Sequence, residues 1–121
     1  MRKLVSTGSP WESRVGYSRA VVVDDTMYIS GTLGHGPDVY AQTKDALATI
    51  ERVLTSNGFA RADVVHSRLS VVDFEHWEDA ARAHGEVYDE VRPAFALVHA
   101  LPFVDDDILV EVEAVAVRSR S

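Results

Sequence analysis

An α+β sandwich is the fold class that this chain of 121 residues predicts: one β-sheet with two helices laid on one of its faces. Three observations carry the prediction. Two stretches repeat apolar residues at the spacing of a helix turn, about five short runs are rich in β-branched and aromatic residues, and their order is ββαβαββ. There is no internal repeat, low-complexity tract or Gly/Ser/Pro-rich linker, so residues 1–121 are expected to form a single domain. A chain of this length buries about two thirds of its unfolded surface, enough for one core without disulfides or structural metal.

The elements follow in order. Arg19 to Val23 and Met27 to Ser30 are β-branched or aromatic runs flanking Asp24-Asp25-Thr26, the composition of a tight hairpin. Gly34-His35-Gly36-Pro37 is a loop. Ala46, Leu47, Ile50, Val53 and Leu54 then recur at helical spacing, with Asp38 as N-cap and Asn57-Gly58 as the stop. Val64 to Val72 reads as a strand. Asp73 is placed to cap a second helix that carries Trp77, Ala80, Ala81, His84, Tyr88 and Val91 on one side and ends by Pro93. Phe95 to Ala100 and Ile108 to Val117 complete the sheet around the acidic turn Asp105-Asp106-Asp107.

The last strand says what the second face of the sheet must do. Leu109, Glu111, Glu113, Val115 and Val117 alternate with Val110, Val112, Ala114 and Ala116, and both sets are largely apolar. If helices cover one face, burial of the other implies a second copy of the chain and hence an oligomer. A strand covered on both faces within one chain would give the same pattern.

Composition excludes several classes. With no Cys there is no zinc ribbon, iron–sulfur cluster, thiol nucleophile or disulfide scaffold. No apolar run, Ala20 to Val23 among them, is long enough for a transmembrane span or a signal-peptide core, so a cytoplasmic protein without membrane contact is expected. Twelve Lys and Arg against nineteen Asp and Glu give a net charge of −7. The basic residues are scattered, apart from the pair Arg118 and Arg120, so nucleic acid is disfavoured as a partner. No His pair has the i, i+4 spacing of a zinc site, so metal is not expected, and phosphate loops, dinucleotide fingerprints and nucleophile elbows are missing too.

Gly16-Tyr17-Ser18, Tyr28-Ile29-Ser30-Gly31, Gln42-Thr43 with Ala46-Leu47, Asp63-Val64-Val65 with Val72-Asp73, Arg92-Pro93-Ala94 and the closing Val110-Glu111-Val112-Glu113-Ala114 form a series of landmarks over nearly the whole chain. Their order and spacing carry a resemblance to the Rid (YjgF-like) family of reactive intermediate deaminases. It implies a chorismate-mutase-like fold and a homotrimer whose sheets line a central barrel, with a small-molecule cleft at each subunit interface. It also implies hydrolysis of enamines and imines, such as those made from amino acids, to ammonia and a keto acid without a cofactor.

The resemblance places Glu111 where the family carries a carboxylate that orients the attacking water, a role needing an acceptor within about 3 Å. An acidic residue in an interface salt bridge is the alternative, and Glu113, on the same strand face, reads as structural. Tyr17 matches a cleft-lining tyrosine, or is a packing residue. Ser30 and Gly31 meet ligand at a strand end, or simply terminate the strand.

The reactive branch reads Pro-Ala-Arg where this chain has Pro93-Ala94-Phe95. There the arginine grips the substrate carboxylate. A phenyl ring offers no donors, so that charge-assisted pairing, about 1.5–3 kcal/mol, is lost. Arg92, at a helix end, is not a substitute. Phe95, Leu97 and His99 share one strand face, which would make the cleft apolar and bring His99 to the ligand, unless it is a hydrogen-bonded interface residue. His35 in the glycine-rich loop carries the same two readings, while His66, His76 and His84 read as surface or helix residues.

Three functions are therefore weighed. The first is an enzyme hydrolysing an imine or enamine of a neutral or aromatic substrate; the second is a trimer that binds a small metabolite without breaking a bond. An endoribonuclease, an activity attributed to relatives, is the third and is disfavoured by charge.

Overall fold

The computed structural model describes residues 1–119, so Arg120 of the basic pair lies outside the described residues. The predicted hairpin is present. β2 (Ala20–Val23) and β3 (Thr26–Leu33) pair antiparallel from Ala20 with Ile29 to Val23 with Thr26. Asp24 takes the left-handed conformation that such a two-residue turn requires, at φ 53°.

Two elements precede this hairpin that the apolar pattern does not reveal. β1 (Arg2–Val5) pairs antiparallel with β2, and α1 (Pro10–Val15) follows it. β1 is short and mostly exposed, so it has no alternation to detect. The start of α1 is written in its termini instead: the Ser9 side chain accepts from the Trp11 N–H, and Pro10 takes the first turn.

α2 (Val39–Thr55) begins as expected, with the Asp38 carboxylate accepting from the Ala41 N–H at 2.8 Å. Its apolar stripe, Val39, Ala46, Leu47, Ile50, Val53 and Leu54, is buried. Full burial of side chains such as Leu47 or Ile50 contributes about 1.5–3 kcal/mol each. Gly58, at φ 81°, turns the chain beyond the helix into β4 (Val64–Val71).

Asp73 does not cap the next helix. Its carboxylate pairs with His76 Nδ1 at 2.8 Å, and a 3₁₀ turn (Phe74–His76) precedes α3 (Trp77–Tyr88). α3 buries Ala80, Ala83, His84 and Tyr88, while Trp77 stays exposed. It carries the chain back to β5 (Ala94–His99), which therefore runs parallel to β4. β6 (Val110–Val117) closes the topology in the middle of the sheet, whose order is β1-β2-β3-β6-β4-β5.

The sheet is thus mixed, six-stranded and covered by helices on one face, a chorismate-mutase-like α+β fold. Val110, Val112, Ala114 and Ala116 of β6 lie in the core with Met27, Ile29, Leu69 and Val71. On the other face Leu109, Glu111, Glu113 and Val115 are only half-buried and Tyr28 is 55% exposed, so the chain does not cover both sides of its own last strand.

Candidate functional site on the open sheet face

The site is organised by an irregularity in β3. Ile29 and Thr32 both point into the core, yet two residues separate them instead of one, and the register with β6 shifts at this place. Ser30 and Gly31 occupy the bulge, so they lie within β3 and not at its end as expected. The Ser30 hydroxyl donates to the Ser18 carbonyl at 2.6 Å, which ties the bulge to the start of β2.

Gly31 leaves a notch. A Cβ there would lie 2.5 Å from Glu111 Oε1 and 2.7 Å from Oε2, because the carboxylate of β6 fills the space that a side chain would take. Burial pushes the Glu111 carboxyl above its ordinary range, and the Glu113 carboxylate raises it further. Arg19 pulls it back. The Arg19 guanidinium donates through Nη2 to the Gly31 carbonyl and sits 6.0 Å from the centre of the Tyr17 ring. Its Nε–H is buried without an acceptor, a state that costs about 1–3 kcal/mol. Tyr17 and Ser30 also line a cavity of about 430 Å³ with Arg2, Leu4, Ser18 and Val21.

Tyr17, Ser30, Gly31 and Glu111 are therefore neighbours on the open side of the sheet. Phe95, Leu97 and His99 are not among them. They share a strand face, as alternation predicts, but their register partners Ser67, Leu69 and Val71 point into the helix-covered core. Phe95 is 44% exposed with its ring centre 4.6 Å from that of His84, Leu97 packs on the core, and His99 stacks on Phe74 at 4.7 Å. One copy of the chain holds the two groups on opposite faces. Arg92 does not replace the missing arginine: its Nε donates to the Asp89 carbonyl at 2.8 Å, at the end of α3.

His35 lies apart, held by its backbone N–H to Asp45 in a cavity shared with Asp105 to Asp107. His84, expected as a surface or helix residue, is a buried helix residue. Its Nε2 meets Ser67 Oγ at 2.7 Å, and desolvation lowers its pKa, which disfavours the charged ring. The completely buried Ser67 has no access to a substrate. Among the described residues, Asp73, Glu75 and His76 are the one group close enough to share a metal ion. They are largely exposed and belong to the turn before α3. No helix of the structure is long and apolar enough to cross a membrane.

The residue missed by sequence reasoning is Arg19. Its signal was its place directly after Tyr17-Ser18, but its partner Gly31 is distant in sequence and has no side chain.

A two-layer fold with a half-buried carboxylate on its open sheet face defines the class to which the comparisons also lead. The family model described as Endoribonuclease L-PSP matches residues 7–118, and the chain belongs to this family, the YjgF/Rid group. A crystal structure from Mycobacterium tuberculosis, described as a member of the YjgF/YER057c/UK114 family, superposes with a TM-score of 0.93 at 40% identity, covering 98% of this chain and 100% of that one. An uncharacterised protein of Streptomyces coelicolor is 34% identical over 94% of this chain and 90% of its own length. The 2-iminobutanoate/2-iminopropanoate deaminase of Bos taurus is 32% identical over 98% and 91%.

Proposed function

We propose that this protein hydrolyses the C=N bond of an imine, or of the imine tautomer of an enamine, with Glu111 as the general base. The observation that carries the reading is the Glu111 carboxylate, half-buried in the Gly31 notch on the open sheet face, with its pKa raised by burial. A carboxylate with a raised pKa is a better proton acceptor near neutral pH, and such a base contributes typically 10²–10⁴-fold. Glu111 takes a proton from water as the oxygen bonds to the imine carbon. The proton passes to nitrogen, the carbinolamine expels ammonia, and a carbonyl product remains. No cofactor enters this balance.

The substrate is neutral or aromatic. Phe95 stands where the reactive branch places its carboxylate-binding arginine, and on its strand Leu97 adds a further apolar side chain. Because one copy separates Phe95 from Glu111, the complete cleft in this reading lies between subunits of a homotrimer. The exposed apolar side chains of the open face, Leu4, Tyr28 and Leu33 among them, support such an assembly. Light scattering should give three times the chain mass, and a monomer would contradict it.

The experiment is ammonia release from imines generated in place, neutral ones by an amine oxidase and carboxylate-bearing ones, aromatic or small, by an amino-acid oxidase. Accelerated release favours the enzyme. Saturable binding of an imine analogue without ammonia release favours the metabolite-binding trimer. RNA cleavage with steep salt dependence would favour a ribonuclease, which a net charge of −7 disfavours.

A further inference from the structure

We propose that Arg19 is the positioning residue for Glu111: anchored on the Gly31 carbonyl, its guanidinium draws the carboxylate of β6 into the glycine notch. This rests on the reading of Glu111 as the functional carboxylate.

Three features of the fold converge on one residue. Gly31 has no side chain, so the Glu111 carboxylate from β6 settles over its Cα. Its carbonyl is taken by Arg19 Nη2, which comes from the entry to β2, across the strand pair that the Ser30 N–H to Arg19 carbonyl bond of 3.0 Å holds together. The backbone of Gly31 thereby fixes both an anion and a cation. The Arg19 Nε–H is buried and without an acceptor, and no hydrogen bond or ion pair joins Arg19 to Glu111 in the structure, so this donor is still open. A guanidinium presents Nε and Nη2 on one edge, the edge that matches a carboxylate.

The charges around Glu111 give this arrangement its purpose. Glu113 on the same strand opposes ionisation, as does burial. From β4 the register partner is the uncharged Ser70, and Arg68 lies opposite Glu113. From β3 come Gly31 and Leu33, without charge. Burial is the largest influence and Glu113 adds to it, while the Arg19 charge acts in the opposite direction, toward the ionised form.

The test is carboxyl-carbon NMR of Glu111 across pH in the full chain, assigned with Glu111→Gln. In Arg19→Gln the Glu111 midpoint should move up, and Arg19→Lys, which keeps the charge, should restore it at least in part. An unchanged midpoint in a folded Arg19→Gln protein overturns the proposal. Should that variant not fold, the wild type still answers. Its Arg19 Nε–H resonance should shift through the Glu111 titration and stay flat in Glu111→Gln, and a resonance indifferent to pH in the wild type overturns the proposal. Imine hydrolysis plays no part in either readout. If no imine is hydrolysed while the midpoint moves, the deaminase reading fails and the Arg19 assignment stands; hydrolysis with an unmoved midpoint gives the reverse.

Discussion

The Glu111 carboxylate occupies the space that a side chain on Gly31 would fill. Glycine is required at this place by a close approach, since Gly31 does not lie in the left-handed region. Gly31→Ala should therefore leave the sheet intact, because the displaced atoms are the free end of a flexible side chain, while expelling the carboxylate from its seat. The expected result is a melting temperature within a few degrees of wild type with at least a tenfold loss of any imine hydrolysis. Equal activity would show that the position of Glu111 does not matter.

Glu111 also has a signature in stability. Its pKa is raised on folding, so folding disfavours its charged form. Its contribution is best below the unfolded carboxyl pKa and is lost as pH rises through the folded value. Glu111→Gln should accordingly melt at a higher temperature than wild type at neutral pH, and the difference should disappear in acid. Parallel melts of the two proteins between pH 4 and 8, the range on the order of the carboxyl and neutral values, check this.

The Ser67–His84 contact gives the opposite slope. Desolvation depresses the His84 pKa in the fold, so its stabilising share is present above the unfolded value of about 6.5 and falls as pH drops toward the folded one. Ser67→Ala leaves a buried imidazole nitrogen without its partner, which costs about 1–3 kcal/mol and lowers the melting temperature by several degrees. His84→Gln should flatten the loss of stability between neutral and mildly acidic pH. An unchanged acid limb would place its cause elsewhere.

Much of this fold is legible in the residues, and the limits have physical causes. Asp38, the α2 stripe and the alternation of β6 are local patterns, and each is present. β1 escapes because four exposed residues carry no period, and α1 was not read either, although Ser9-Pro10 is a helix-start signal. Alternation groups Phe95, Leu97 and His99 correctly but cannot say which side of the sheet they face. That depends on the parallel pairing of β5 with β4, which the crossover through α3 sets. Arg19 was illegible for a related reason: its meaning comes from a backbone carbonyl twelve residues away.

Phe95 tests substrate choice. If the cleft otherwise follows the reactive branch, the wild type should be poor on imines of small amino acids such as serine or threonine, whose carboxylate would meet a ring. A desolvated group left without its partner can cost several orders of magnitude in selectivity. Phe95→Arg should raise activity on those substrates, at some loss of the packing on His84. Efficient turnover of such an imine by the wild type would make Phe95 a wall residue only.

The most direct test of the account compares wild type with Glu111→Gln in coupled detection of ammonia from a neutral or aromatic imine, after light scattering has shown the two to share one assembly. The account predicts release well above the uncatalysed rate for the wild type and a loss on the order of 10²-fold or more in the variant. Equal rates in the two proteins, or no acceleration by the wild type with any imine, would contradict it.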